Sequence, residues 1–450
     1  MTAAQRALPP GPSLWPALQT LLFWRRLDPF LRACARKHGP TFTLHIFPWG
    51  TTVVLSDPDS LRAVLTGSPE VWRAGESYEL LAPLIGERSV VVLDGEEHLR
   101  VRRKLLAPFH GDMVARYQQL IETIALEEVE RWPLSTPISL LERMGAITLE
   151  VMLRTVIGAE DPQRLRELRS ALAEAVRLKP LVLLMWVYEP LTRIGPWRAY
   201  NRRLERARAL LRDEIARRRA DAAVGERTDV LSALVLENEL DDEELLDQLA
   251  TLLLAGHDTS ATALTWTLER LLRYPAALAR ARSDDLYLDA VVKESLRLRP
   301  VLPAITRRAV EPVEIAGYEL PAGTTVMPCI RLAHLAGERF PDPYSFRPER
   351  FLEGPVESYT WIPFGGGTRR CIGASFAAFQ MRTVLRTILQ NAELRADRPA
   401  AERVANEHIT LVPGRGCRAI KLAPRASGRL PGAMPAPARA DTGCDMPAVS

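Results

Sequence analysis

The stretch from Asp242 to Arg273 constrains the fold more than any other part of this chain. Asp241 stands where an N-cap would, and Glu244 occupies the reciprocal capping-box position. Asp242 and Glu243 add negative charge to the first turn, where the helix dipole favours it. Beyond that turn, Leu249 to Ala255 is apolar nearly all the way round. A helix apolar on every side is a buried one. The pattern therefore predicts a long interior helix over about 242–273, a spine on which the other elements pack.

From about 96 to 300 the remaining periodicity is also helical. Leu204, Ala207, Leu211 and Ile215 form a stripe at 3.6 spacing, with arginines filling the rest of that helix. Ahead of this region two alternating runs, Thr41 to Ile46 and Thr51 to Leu55, flank Phe47-Pro48-Trp49-Gly50 and predict a β-hairpin. Asp57 and Asp59 then stand at N-cap positions before Leu61, Val64 and Leu65. After residue 300, closely spaced prolines break the chain into short strands such as Val313 to Ile315 and Thr324 to Met327. A last helix is predicted from about Cys371 to Gln390. The fold class is mainly α with a smaller β-rich lobe.

Charge and composition exclude several functions. Fifty-nine Lys and Arg against 55 Asp and Glu leave a net charge of +4, so nothing at whole-chain level points to nucleic acid. The arginine-rich run Arg198 to Arg219 has no aromatic interleaving and reads as an amphipathic helix. No apolar run approaches the length of a membrane span; the longest is Leu181 to Tyr188. The first twelve residues show no secretory signal. The five cysteines, at 34, 329, 371, 417 and 444, are odd in number and include no CxxC. They fit neither a disulfide framework nor a structural zinc site. A reducing, cytoplasmic setting is expected, with any cysteine that has a task working alone.

Cys371 is that cysteine. It closes the loop Phe364-Gly365-Gly366-Gly367-Thr368-Arg369-Arg370-Cys371-Ile372-Gly373. A Gly-rich loop opening a helix could cradle phosphate, but no Lys-Ser/Thr follows, as a P-loop requires. A thiol at a helix N-terminus beside two arginines is expected to have a lowered pKa, and the thiolate is a nucleophile or a soft metal ligand.

The same run, read as Phe-x-x-Gly-x-Arg-x-Cys-x-Gly, resembles the haem-binding loop of the cytochromes P450. Three further motifs agree with that resemblance in order and spacing. Glu294-x-x-Arg297 resembles the family's helix-borne Glu-x-x-Arg, and Pro348-Glu349-Arg350-Phe351 its following segment. Ala255-Gly256-His257-Asp258-Thr259-Ser260 resembles the oxygen-binding stretch of its long central helix. The similarity spans roughly residues 8 to 422. It implies one haem-thiolate domain over 13–423, with the 242–273 helix over the haem, a proline-rich arm over 1–12 and a disordered tail over 424–450.

The resemblance also implies roles. Cys371 would be the axial ligand of haem b, iron protoporphyrin IX, donating electron density that favours O–O cleavage. Phe364 would shield its sulfur. Gly365 belongs to the cofactor loop, and Gly367 and Gly373 would let the backbone approach the porphyrin, where a Cβ would intrude. Arg369, His98, Arg102 and Arg307 would meet the haem propionates; Arg308, the neighbour of Arg307, is not separable from it by sequence. Ala255 and Gly256 would border a helix bulge that admits dioxygen. Thr259 would hold oxygen and water, and Asp258 would relay protons. His257, between these motif residues, is expected to face a neighbouring helix. Glu294, Arg297 and Arg350 would lock the loop region in a structural role.

Arg100, Arg103, Lys104, Arg370 and Arg382 would gather on the thiolate side, suiting an acidic electron donor such as a ferredoxin or flavodoxin with its reductase. Apolar segments at Val90 to Leu93, Leu181 to Tyr188 (with Met185 and Trp186), Val301 to Ile305 and Ile409 to Val412 would line a pocket for a lipophilic substrate: a fatty acid, terpenoid, steroid or polyketide. The chain departs from the family between Tyr274 and Leu286, where a longer helical insertion is usual. No membrane anchor is expected, and a monomer is. Three readings stand: an O2- and reductant-dependent monooxygenase, a peroxide-using or rearranging haem-thiolate enzyme, and a non-catalytic haem sensor. The Asp258-Thr259 pair favours the first.

Overall fold

A computed structural model describes residues 8–109, 115–176, 195–407 and 409–424. Leu181 to Tyr188 and the tail beyond residue 424 lie outside the described residues.

The capped helix is present as Asp242–Arg273, a single unbroken element of 32 residues and so about 48 Å long. Its capping box is complete: Asp241 accepts from the Glu244 N–H, and the Glu244 carboxylate accepts from the Asp241 N–H. It crosses the molecule through the main hydrophobic core, in which Leu249, Leu253, Leu264 and Leu268 are buried. Trp266, also fully buried, donates its indole N–H to the Leu411 carbonyl at 2.8 Å.

The helix Leu140–Met152 packs along it more extensively than any other described element. A Cβ on Gly256 would stand 2.4 Å from Met152 Cε, so alanine there would make the Met152 side chain shift. Met152 fills the room that Gly256 makes on the side of the Leu140–Met152 helix. The expected bulge is absent: Asp242–Arg273 is α-helical throughout. Thr259 donates its hydroxyl to the Ala255 carbonyl one turn back at 2.5 Å, which satisfies the hydroxyl within a regular helix.

The β-rich lobe is a five-stranded sheet in the order Thr41–Ile46, Gly50–Leu55, Thr325–Pro328, Arg307–Ala309, Trp72–Arg73. The predicted hairpin supplies its first two strands, in register from Thr41 opposite Leu55 to Ile46 opposite Gly50. Gly50–Leu55 pairs in parallel with Thr325–Pro328, a pairing only tertiary packing can bring about. Residues 9 and 10 are not a free arm. The Pro9 carbonyl accepts the Thr43 hydroxyl at 2.6 Å, and the Pro10 carbonyl accepts the Thr43 N–H at 3.0 Å.

Glu294 and Arg297, on the helix Asp285–Leu298, form a bidentate pair at 2.7 and 2.9 Å with both side chains inaccessible. Arg350 joins Glu294 at 3.2 Å, and Arg297 donates to the His334 and Pro343 carbonyls at 2.8 Å. Charges buried this deeply are tolerable only when every donor finds an acceptor, and here they fasten the 334–350 segment beneath the cysteine loop.

Candidate active site

The loop before Cys371 is shaped by its own backbone. Gly365 and Gly367 hold positive φ angles of 69° and 62°, which L side chains rarely adopt. At Gly367 there is a second constraint: an added Cβ would lie 1.7 Å from the Leu65 carbonyl oxygen. The close approach it permits is thus to Leu65, not to a cofactor as the sequence suggested. Around Gly373, by contrast, an added Cβ meets nothing within 4 Å, so the chain leaves space there. The Cys371 N–H donates to the Phe364 carbonyl at 2.9 Å, which closes the loop and sets the Phe364 ring edge-on to Trp361.

The following helix starts at Ala374, three residues later than predicted, so Cys371 precedes the N-cap Gly373. Its side chain is exposed, yet it is enclosed enough that burial pushes its thiol pKa up. The Gly373 N–H and the Arg102 and Arg370 charges act in the opposite direction and do not prevail. The lowered pKa expected from neighbouring arginines is therefore corrected: desolvation outweighs them. The Cys371 thiol is thus accessible yet surrounded by protein. On the central helix Ala255 and Asp258 are exposed as well, although Ser260 onward is buried.

Around the loop stand a neutral imidazole and several guanidinium groups. His98 on the helix Gly95–Leu106 is buried, and its pKa falls to about 3, first through burial and then through Arg369, Arg102 and Arg307. Arg307 is buried on the sheet and donates to the Thr306 carbonyl at 2.7 Å; among the described residues no carboxylate pairs with it. Arg308 points the other way, half exposed and 3.6 Å from Glu76. Arg102 donates to the Arg370 carbonyl at 2.5 Å.

Arg369 is pushed down to about 10 by burial, against the pull of Asp94 at 2.5 Å. It also donates to the Val90 carbonyl at 3.1 Å and to that of Leu93, fixing the wall segment. That segment is tied in turn to the central helix, where the Val90 N–H donates to Gln248 at 2.9 Å. Three guanidinium groups and an imidazole thus share one carboxylate in a partly dry site. Such an arrangement is relieved by an incoming anion with more than one carboxylate. A soft sulfur donor, open space at Gly373 and three guanidinium groups with a single carboxylate among them fit a haem and its propionates.

Residues 9–415 match the Cytochrome P450 family. The chain belongs to the cytochrome P450 family. Its cofactor is the family's haem, and its class of chemistry is haem monooxygenation. A relative from Mycobacterium tuberculosis named cytochrome P450 135B1 is 44% identical over 427 residues, which cover 91% of this chain and 90% of the relative. Another, cytochrome P450 135A1, is 38% identical over 93% of this chain and 96% of its own length. Among solved structures, CYP175A1 of Thermus thermophilus superposes with a TM-score of 0.72 at 28% identity, covering 91% and 98% of the two chains. The cyanobacterial CYP120A1, described with retinoic acid bound, shares the fold at TM-score 0.81 and 24% identity over 92% and 99%. No described helix of this P450 is long and apolar enough to cross a membrane.

Sequence reasoning missed several residues of this P450 site. Asp94 belongs to no motif, yet its carboxylate accepts the N–H groups of Ala74, Gly75 and Glu76 at 2.9, 3.0 and 3.1 Å and holds Arg369. The Tyr78 hydroxyl accepts the Thr306 N–H at 3.2 Å beside Arg307. Thr148 and Glu407, discussed below, come from elements distant in sequence and carry no motif.

Proposed function

We propose that this P450 inserts one oxygen atom from O2 into a lipophilic small molecule such as a fatty acid, terpenoid, steroid or polyketide, drawing electrons from an acidic donor. The observation that carries this reading is the pairing of an exposed, enclosed Cys371 with an acid and a hydroxyl, Asp258 and Thr259, on the central helix. When bound, haem supplies a thiolate-ligated iron at which O2 is activated.

The protein's residues then divide the work. Cys371 would hold the iron, and the Gly373 N–H donated to its sulfur would stabilise the thiolate charge. Phe364, which accepts the Cys371 N–H and stands edge-on to Trp361, would shield the sulfur. His98, Arg102, Arg307 and Arg369 would take the propionates, with Asp94 keeping Arg369 aimed. Asp258 is pushed up to about 7 by burial and by Glu407, so at neutral pH its carboxyl group both holds and releases a proton. The Thr259 hydroxyl, resting on the Ala255 carbonyl, reaches the site by rotation about χ1. This acid–alcohol pair favours the O2-dependent reaction over peroxide use, rearrangement or a sensor role.

Within the segments expected to line the pocket, the described residues Val91, Leu93, Ile305 and Val412 carry hydrocarbon side chains, which supports a lipophilic substrate. For the electron donor, the basic patch is thinner than the sequence suggests. Arg100 pairs with Glu244, Lys104 with Glu239 and Arg382 with Asp289, which leaves Arg103 and Arg370 exposed next to the cysteine loop.

The test is the ferrous carbonyl spectrum. The protein is expected to show the red-shifted Soret band of a thiolate–carbonyl pair, and Cys371→Ala to lose it entirely. An unchanged band in that variant overturns the assignment.

A further inference from the structure

His257 lies between the residues assigned to proton delivery and is not one of them. Its backbone belongs to the central helix, where adjacent side chains diverge by about 100° and do not ordinarily face one another. Here they do: His257 Nε2 lies 3.3 Å from Asp258 Oδ1. The other ring nitrogen, Nδ1, lies 2.9 Å from the Thr148 hydroxyl on the helix Leu140–Met152. Thr148 is fully buried and also sits 3.1 Å from the His257 carbonyl oxygen. Gly145, one turn earlier on that helix, leaves the ring its place: a Cβ there would stand 3.5 Å from His257 Cε1. Three side chains from two helices form a continuous chain that ends on the acid facing the site.

We propose that His257 is the positioning residue of Asp258. Anchored by Thr148, its ring holds Oδ1 and leaves Oδ2 to face the haem pocket. This rests on the monooxygenase reading, in which Asp258 delivers protons. With Asp258 protonated, the proton sits on Oδ2, Nε2–H donates to Oδ1, and the Thr148 hydroxyl donates to Nδ1. When Oδ2 gives up its proton to the pocket, both of those hydrogen bonds stay as they are. The imidazole remains neutral in both forms, in keeping with burial that lowers its pKa to about 4. A neutral ring whose hydrogen bonds are the same in both forms holds the acid in place while its outer oxygen gains and loses the proton. Besides His257, Glu407 is the titratable group that bears on Asp258 among the described residues, and the Leu140–Met152 helix offers His257 the neutral Thr148 and Gly145.

The experiment pairs a structural and a functional readout in the holoenzyme. In the diamagnetic ferrous carbonyl form, side-chain 15N spectra of the histidines are compared across Asp258→Asn, Thr148→Val and Thr148→Ser. In turnover, the share of reducing equivalents released as peroxide is followed against pH for the same variants and for His257→Phe. The expected result is one dominant His257 tautomer that both Asp258→Asn and Thr148→Val shift. His257→Phe and Thr148→Val lower coupled turnover about tenfold and move its pH profile, as loss of a positioned proton group does. Thr148→Ser, which keeps the hydroxyl, restores both.

His257 nitrogens indifferent to Asp258→Asn and Thr148→Val, or unchanged coupling and pH profile in His257→Phe with the carbonyl band intact, overturn the proposal. Loss of that band in the unsubstituted protein fails the haem-thiolate reading instead. The nitrogen spectrum needs no turnover and still decides the His257 contact.

Discussion

Arg369 and Asp94 meet at 2.5 Å between the cysteine loop and the N-terminus of the helix Gly95–Leu106, 275 residues apart in sequence. The carboxylate also collects three backbone N–H groups, so this one contact joins the cofactor loop, the His98 helix and the 74–76 turn.

Asp94→Ala removes the acceptor for all four donors. It is expected to destabilise the fold by about 2–4 kcal/mol, the range for breaking a mostly buried, hydrogen-bonded charge pair. Asp94→Asn keeps an acceptor oxygen and costs less. Urea unfolding of the three proteins checks the order, and an Asp94→Ala midpoint equal to the parent's contradicts it.

Gly367→Ala and Gly373→Ala separate two uses of glycine in one loop. At Gly367 a methyl group meets the Leu65 carbonyl on a positive-φ backbone, so the variant loses about 3 kcal/mol of stability. At Gly373 the methyl enters open space, so the fold is expected to remain while haem uptake weakens. Thermal melts of the cofactor-free proteins and haem titration distinguish the two effects. Equal melting losses would refute the distinction.

Acid sensitivity follows from buried neutral histidines. His98 and His334 are both lowered to about 3 from an ordinary value near 6.5, and the Nε2 of His334 accepts the Ile362 N–H at 2.8 Å. A group with a depressed folded pKa gives stability that is present above the unfolded pKa and lost as pH falls. The loss begins near pH 6.5 and approaches about 1.4 kcal/mol per pH unit for each histidine. His98→Gln is expected to flatten the slope of urea midpoint against pH between 6.5 and 4; an unaltered slope counts against the assignment.

Thr259→Ala leaves the helix and the Cys371 loop in place. Haem content and the carbonyl band are expected to persist, while a several-fold larger share of reducing equivalents leaves as peroxide. Measuring peroxide against NAD(P)H consumed decides the matter, since undiminished coupling removes Thr259 from proton delivery.

What the sequence carried was local. The Asp241–Glu244 capping box, the hairpin around Phe47–Gly50 and the spacing of the cysteine loop are set within a few residues, and all three are present in the fold. What it could not carry depends on which elements meet. That Met152 stands against Gly256 could not be read from either residue's own neighbours. Cys371 looks like an acidified thiol until the enclosure that raises its pKa is known. Arg307 and Arg308 differ only in strand alternation, which sends one inward and the other towards Glu76.

The surplus of positive charge around His98, Arg102, Arg307 and Arg369 also sorts macrocycles. A tetrapyrrole with free carboxylates discharges that surplus as it enters, whereas one whose carboxylates are capped as esters leaves the guanidinium groups unmatched and adds bulk among them. Before any iron chemistry begins, the protein is thus expected to discriminate an acidic porphyrin from its neutral ester, with charge rather than ring shape as the criterion.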